Sequence, residues 1–464
     1  MTTLVTPVVD EGLGNASWIV DLGDHRLAVI DPGRHPGRFL AEAERRGARV
    51  AFSIETHLHA DFVTGSRELT AFGATVLASA EAGMTWPHHP VAPGDTVDLG
   101  GLSLRALPTP GHTPEHLAYL LADGDEILGV FTGGSLLVGA VARTDLIAPD
   151  ATEDLARALW RSLQDEILTL PDETAVYPTH GAGSFCSAPA TDRRWTTVGD
   201  ERRTNPLLAA PDEDTFVKAL PSSLGSYPRY FSDLREVNRC GPEVLGVPQP
   251  ALPALELRAF QQHLDGGAVL VDTRPVEAWA AGHIPGALAI PLRAQFASWL
   301  GWLIEPDEPV VFVAGADQDR GELVRQCHQI GYDHLVGELA GGTSAWLAAG
   351  LDVRLRAPVA HAATLKVDGV VVALPNPLAE RLTQVTLPPV AMGPTLAWAG
   401  GYPAEQPAPE WRGLFVNEHP LLQWVAIDSS KGRGPETVVV AHLRGGVEGD
   451  VGKALAPIIG GWAA

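Results

Sequence analysis

The chain has 464 residues, 45% hydrophobic and 19% charged, a globular balance that excludes a largely disordered polymer and suggests about three domains. Its 33 Lys+Arg against 56 Asp+Glu leave a formal charge of −23, which repels phosphate backbones and anionic lipid, so neither nucleic acid nor a membrane surface is an expected partner. Three cysteines (Cys186, Cys240, Cys327) supply neither a disulfide framework nor a Cys-x-x-Cys metal site; with no signal-peptide pattern and no membrane-length apolar run, the expectation is a cytoplasmic protein.

In chain order, β-rich runs bounded by Gly, Pro and Asp predict strands at Ala16–Val20, Leu27–Ile30, Val50–Ile54, Thr75–Ala78, Leu102–Leu107 and Leu117–Leu121. Helical patterns interleave at Arg38–Arg46, Gly65–Phe72 and Thr152–Leu168. The proline-rich, charge-poor stretch Val244–Pro253 reads as a linker. Beyond it, strands at Ala268–Asp272 and Pro309–Ala314, with a helix at Gly321–Ile330, predict a small parallel sheet. From about Ala357 the chain changes character, with Val-rich runs at Val367–Leu374 and Thr437–His442 and many prolines.

The chemistry gathers at histidines. Thr56-His57-Leu58-His59-Ala60-Asp61 follows the run Val50–Ile54, and residues two apart in an extended segment point the same way, so His57, His59 and Asp61 are expected to converge beyond a strand end. His112 (in Pro110-Gly111-His112-Thr113) and His180 (in Tyr177-Pro178-Thr179-His180-Gly181) also follow apolar runs. Neutral imidazoles with a carboxylate are the usual donors for zinc or non-haem iron, so the expectation is a metal pocket.

Together T-H-L-H-A-D, P-T-P-G-H-T and Y-P-T-H-G resemble the metallo-β-lactamase fold. The run S-I-E-T-H-L-H-A-D-F-V-T-G-S-R-E-L is similar to the persulfide dioxygenase branch, akin to glyoxalase II. So are Tyr177–Cys186, Val198–Asn205 and Pro228–Pro242, in the form found where that domain is fused to rhodanese domains. The resemblance implies an αβ/βα sandwich with one Fe(II) held by two histidines and an aspartate. The histidines fall on His57 and His112, but the aspartate's segment reads Phe131-Thr132-Gly133-Gly134, and Phe62 replaces the histidine that would serve a second metal. His57, His59 and His112 would suit zinc with an open water position, with Asp61 and His180 as further donors. Tyr177, Gly181, Ser184 and Arg143 are the expected substrate-pocket residues, and Cys186 reads as a buried loop cysteine.

The second unit resembles a rhodanese domain through Val269–Arg274, Gly282–Ala287 and Gly341–Trp346. Its active-site loop, Val313-Ala314-Gly315-Ala316-Asp317-Gln318-Asp319-Arg320, has no cysteine, so Asp272, Arg274, Gly315 and Arg320 would mark a degenerate site and a docking or structural role. The tail resembles the substrate-side portion of renalase-like flavin amine oxidases. The Gly-rich dinucleotide fingerprint is absent, so no flavin is expected.

The expected fold is therefore α/β multidomain: a metallo-β-lactamase sandwich at 1–245, a rhodanese-like parallel α/β domain at 254–356 and a poorly defined α+β tail at 357–464. The leading expectation is oxidation of a low-molecular-weight thiol persulfide, such as glutathione persulfide, on one divalent metal, Fe(II) before Zn(II). The rivals are a zinc thioester hydrolase of the glyoxalase II kind and a pseudoenzyme that binds persulfides or partners. An exposed strand edge in the tail would favour a homo-oligomer.

Overall fold

A computed structural model describes residues 4–186, 193–222 and 224–354, together with the backbone of four strands in the C-terminal region. The chain divides into two compact units, Met1–Arg356 and Ala357–Ala464.

The first sheet runs β1 (Val5–Asp10), β2 (Asn15–Gly23), β3 (Arg26–Ile30), β4 (Arg49–Ile54), β5 (Thr75–Ser79) and β6 (His89–Val91) in spatial as in sequence order. β1 to β3 pair antiparallel, and β3 to β6 parallel. The second sheet holds β7 (Thr96–Asp98), β8 (Leu102–Pro108), β9 (Leu117–Asp123), β10 (Glu126–Gly133), β11 (Ala175–Pro178) and β12 (Thr196–Thr197).

Period-2 alternation builds the layers. On β9, Leu117, Tyr119 and Leu121 face the other sheet, packed with Trp18, Ile30 and Phe131, while Ala118 and Leu120 face outward. The outer face of the second sheet is covered by α3 (Thr152–Ser162), its π-helical continuation Leu163–Ile167 and α5 (Glu213–Ser222). The outer face of the first, through Leu27 and Val29, is covered by α1 (Gly37–Arg45) and α2 (Ser66–Thr70). This is the four-layer αβ/βα sandwich. The helix expected through Leu168 keeps its apolar face but is α-helical only to Ser162.

Beyond Pro253, β13 (Ala254–Leu255), β14 (Val269–Asp272), β15 (Leu288–Ala289), β16 (Val310–Val313) and β17 (Leu335–Leu339) form a parallel sheet in the order β13-β17-β16-β14-β15. α7 (Leu257–Asp265) and α11 (Gly342–Ala348) cover one face through Phe260 and Trp346. α9 (Phe296–Leu303) and α10 (Arg320–Gln329) cover the other.

That second face does not end at solvent. Its core runs from Phe312, Leu300 and Cys327 into Phe62, Val63 and, from the segment leading into and through α6 (Phe231–Cys240), Tyr230, Phe231 and Leu234. Arg34, 1% exposed, crosses the same boundary: it donates to His328 O at 2.9 Å and pairs with Asp333. The proline-rich connector thus joins two bodies that share one apolar core.

The second unit shows a four-stranded antiparallel sheet in the order Ala397–Tyr402, Thr437–Leu443, Leu422–Asp428, Gly413–Phe415. The expected run Val367–Leu374 lies outside the described residues.

Candidate metal centre

Five strand ends meet at one edge of the sandwich. β3 delivers Asp31, β4 delivers His57 and His59, and β8 leads to His112; β10 ends at Gly133, and β11 is followed by His180. Asp31 ties two of these loops together. Its Oδ1 accepts from Thr56 N at 2.7 Å, and its Oδ2 accepts from Thr56 Oγ1 at 2.7 Å and from Thr179 Oγ1.

Each of three histidines has its Nδ1 tied back. Since Thr56 Oγ1 spends its proton on Asp31, His57 Nδ1–H donates to it at 2.8 Å. His112 Nδ1–H donates to Arg143 O at 2.6 Å. His180 Nδ1 faces only acceptors, Asn15 Oδ1 and Asp61 Oδ2, both at 3.2 Å. The free nitrogen is then Nε2 in all three, and anchoring of this kind is how proteins aim metal-binding imidazoles. One ring nitrogen each of His57, His112 and His180 lie within 4.8 Å of one another. Burial, aided by the neighbouring His59 charge, holds His57 well below the usual imidazole range; burial likewise takes His112 down to about 3, so both are neutral.

The expected gathering of His57, His59 and Asp61 is present: the His57 and His59 rings are 4.1 Å apart, one donor atom each of Asp31, His57 and His59 lie within 4.8 Å of one another, and so do those of His59, Asp61 and His180. The backbone reaches it by bends at 56–57 and 60–62 instead of running extended, and His59 takes partners of its own. His59 Nε2 turns to Asp31 Oδ1 at 3.2 Å and Glu55 Oε2 at 3.5 Å. Burial opposes its charge, but those two carboxylates raise it to about 10. Asp61 lies buried beside His180, its Oδ2 3.2 Å from His180 Nδ1. Phe62 stacks on His59 with ring centroids 4.1 Å apart, closing the position of a further donor.

Several positioning residues escape a reading of motifs. His116 stacks on His57, donates from Nδ1 to Thr109 Oγ1 and accepts from Gly134 N, so both its nitrogens are spent. Glu115 accepts from Leu58 N at 3.1 Å and pairs with Arg235. Asp31 was findable: it ends an apolar run just as His57 follows one.

The expected pocket residues do not line the opening. Tyr177 packs between the sheets, 4.9 Å from Trp18 and 5.3 Å from Phe131. The Arg143 guanidinium is consumed by Asp145, Phe185 O and Gly225 O, so only its carbonyl serves the site, through His112. Gly181 N binds Gly14 O, and Ser184 Oγ accepts from Cys186 N. Cys186 is fully buried, and burial pushes its thiol well up. The opening is instead a cleft of about 160 Å3 that reaches His112 between Leu58, Ala60, Leu146, Ile147 and Phe231, with Arg235 at its side.

At the second centre, Asp272 and Arg274 pair with each other, and Arg320 pairs with Glu338 and donates to Gly315 O. Gln318 fills the loop: its Oε1 accepts from Gly315 N at 2.8 Å and Thr273 Oγ1 at 2.9 Å, while its Nε2 donates to Thr273 O at 2.6 Å.

Residues 9–180 match the model of the metallo-beta-lactamase superfamily, and residues 256–349 that of the rhodanese-like domain. A hydroxyacylglutathione hydrolase of Methylobacterium sp. (strain 4-46) is 33% identical over 211 residues, 39% of this chain and 78% of the relative. This chain belongs to the metallo-beta-lactamase superfamily.

Within the superfamily, it is similar to the mitochondrial persulfide dioxygenases ETHE1 of Homo sapiens and Bos taurus. The former is 32% identical over 38% of this chain, the latter 31% over 43%. The match spans 62% of the human relative and 74% of the bovine one. The solved metallo-beta-lactamase from Staphylococcus aureus subsp. aureus COL superposes with a TM-score of 0.63 at 27% identity, covering 72% of this chain and 98% of its own.

The residues of this metallo-beta-lactamase-superfamily chain fit a divalent ion. His57 Nε2 and His180 Nε2 stand 3.4 Å apart, and one ring nitrogen each of His57, His112 and His180 can face a common point. A buried cation would give these nitrogens a partner. Among the described residues, no helix is long and apolar enough to cross a membrane.

Proposed function

We propose that this chain is a persulfide dioxygenase-type metalloprotein. It holds one divalent ion, Fe(II) before Zn(II), and in its Fe(II) form converts a low-molecular-weight thiol persulfide such as glutathione persulfide to sulfite and thiol. The observation that carries the reading is the buried histidine cluster at the floor of an open cleft, in a chain similar to ETHE1 persulfide dioxygenases. The reaction balances as RSSH + O2 + H2O → RSH + SO3²⁻ + 2H⁺, the terminal sulfur passing its electrons to O2. When bound, Fe(II) would supply a Lewis-acidic, redox-capable centre for sulfur and O2, whereas Zn(II) would supply Lewis acidity alone.

The chain's own residues do the rest. Thr56, the Arg143 carbonyl and Asn15 orient the imidazoles. Leu58, Ile147 and Phe231 give the carrier an apolar wall and limit water at the reacting sulfur. Phe62 removes the donor a second ion would need, which favours a single-ion centre.

The test is O2 uptake and sulfite release with glutathione persulfide, using full-length protein loaded anaerobically with Fe(II). Sulfite in proportion to bound iron is expected. Iron bound without O2 uptake overturns the reading, and hydrolysis of a glutathione thioester by the zinc-loaded chain in its place would make it a hydrolase.

A further inference from the structure

Resting on the single-ion reading, we propose that the ion is held by three neutral imidazoles, His57, His112 and His180, and that Gly134 is a requirement of this set, not a vacancy in another.

Position 134 decides between the alternatives. A Cβ built on Gly134 would come to 2.3 Å from His112 Cδ2, 2.8 Å from Cγ and 3.1 Å from Nε2. A carboxylate there and the His112 ring compete for one volume. The backbone cannot retreat, because Gly134 N donates to His116 Nε2 at 3.0 Å and Gly134 O accepts from Ala142 N at 3.1 Å. Tethered to Arg143 O, His112 is the group that takes the space.

The third donor then comes from the far side of the site. His180 leaves the end of β11, bridged to Asn15, and sets its Nε2 3.4 Å from that of His57. Two imidazole nitrogens each about 2.1 Å from one ion stand up to about 4.2 Å apart, so this spacing suits ligation of a single ion. His59 Nε2 instead sits 3.2 Å from Asp31 Oδ1 and 3.5 Å from Glu55 Oε2.

The substitution has an electrostatic consequence. Three neutral donors leave a divalent ion its full charge where a carboxylate would cancel part of it. The site should therefore draw an anionic sulfur ligand such as a persulfide anion more strongly. Three imidazoles are also a donor set that zinc and iron both accept.

The probe is Co(II), read by its visible absorption and by competition for affinity in the full-length chain. His180→Asn, which keeps a polar group toward Asn15 and Asp61, should weaken Co(II) more than about 100-fold, beyond the 10–100-fold typical of an outer partner, and change the spectrum. His59→Gln should keep one ion with the wild-type spectrum. Gly134→Asp should weaken binding by displacing His112, and it carries the test if His180→Asn does not fold. Retained affinity and spectrum in His180→Asn, loss in His59→Gln, or tighter binding in Gly134→Asp each overturns the proposal. Co(II) bound as stated in a chain that consumes no O2 with persulfide and Fe(II) would sink the dioxygenase reading alone.

Discussion

Asn238, on helix α6, holds the backbone of the loop at His59. Its Nδ2 donates to His59 O at 2.8 Å and to Phe62 O at 2.9 Å, while its Oδ1 accepts from Thr64 N at 2.9 Å. One buried side chain on α6 thus pairs three main-chain groups of the loop that carries His57, His59 and Asp61. Such a loop has no ladder of its own, so its buried polar groups must find side-chain partners.

Asn238→Ala removes all three bonds. At about 1 kcal/mol each it should destabilise the fold by about 2–4 kcal/mol and loosen the metal loop. The check is the urea midpoint together with Co(II) affinity. An unchanged affinity would mean the loop is ordered without α6.

The rhodanese-like domain should be felt at the metal centre. A Cβ on Gly301 of α9 would fall 2.3 Å from Tyr230 Cδ1 and Cε1, and Tyr230 OH donates to Asp61 O at 3.3 Å. Gly301→Val overpacks the shared core, so a loss of about 1–3 kcal/mol is expected, with weaker metal retention. A variant with the wild-type urea midpoint would contradict the shared core.

Acid should weaken the same boundary. Burial lowers His35 to about 3, and burial lowers His328 to about 4. Both lie at the contact, His35 Nε2 donating to Arg325 O at 2.8 Å. Below the unfolded value near 6.5 the unfolded chain binds protons that the folded one refuses. Stability is therefore full above about pH 6.5 and declines toward pH 4, by up to about 1.4 kcal/mol per pH unit for each histidine. Urea titrations at pH 7, 6 and 5 read the slope; His35→Gln should flatten it, and a pH-independent wild type would refute the assignment.

Sulfur transfer from thiosulfate to cyanide is expected to be nil. The loop between β16 and α10 has no cysteine, and its Gly315 N–H, which would stabilise a persulfide, already serves Gln318. Gln318→Ala should free that N–H at a cost of about 1–2 kcal/mol without conferring turnover. Thiocyanate formed by the purified chain would refute this.

Local chemistry was readable from the chain alone. Leu27–Ile30, Val50–Ile54 and Leu117–Leu121 are apolar runs between turn residues, and each is a strand. Histidines placed just after such runs marked the edge where strand ends gather. The short edge strands β6, β7 and β12 carried too few residues to show a period.

Which histidines face one another was a different kind of question. His57, His59 and Asp61 gather as their spacing suggests, but the partners each takes, Asp31 for His59 and His180 for Asp61, come from other strand ends. Arg143 looked like a substrate contact and proved to be a buried knot, because its partners Asp145, Phe185 and Gly225 come from separate segments. Nor does the sequence show that a Cβ at Gly134 would meet the His112 ring, 2.3 Å from its Cδ2. Side-chain type and strand pattern are local properties, written in adjacent residues. Donor direction, tautomer and excluded volume belong to groups far apart in the chain, and only their packing at one sheet edge decides them.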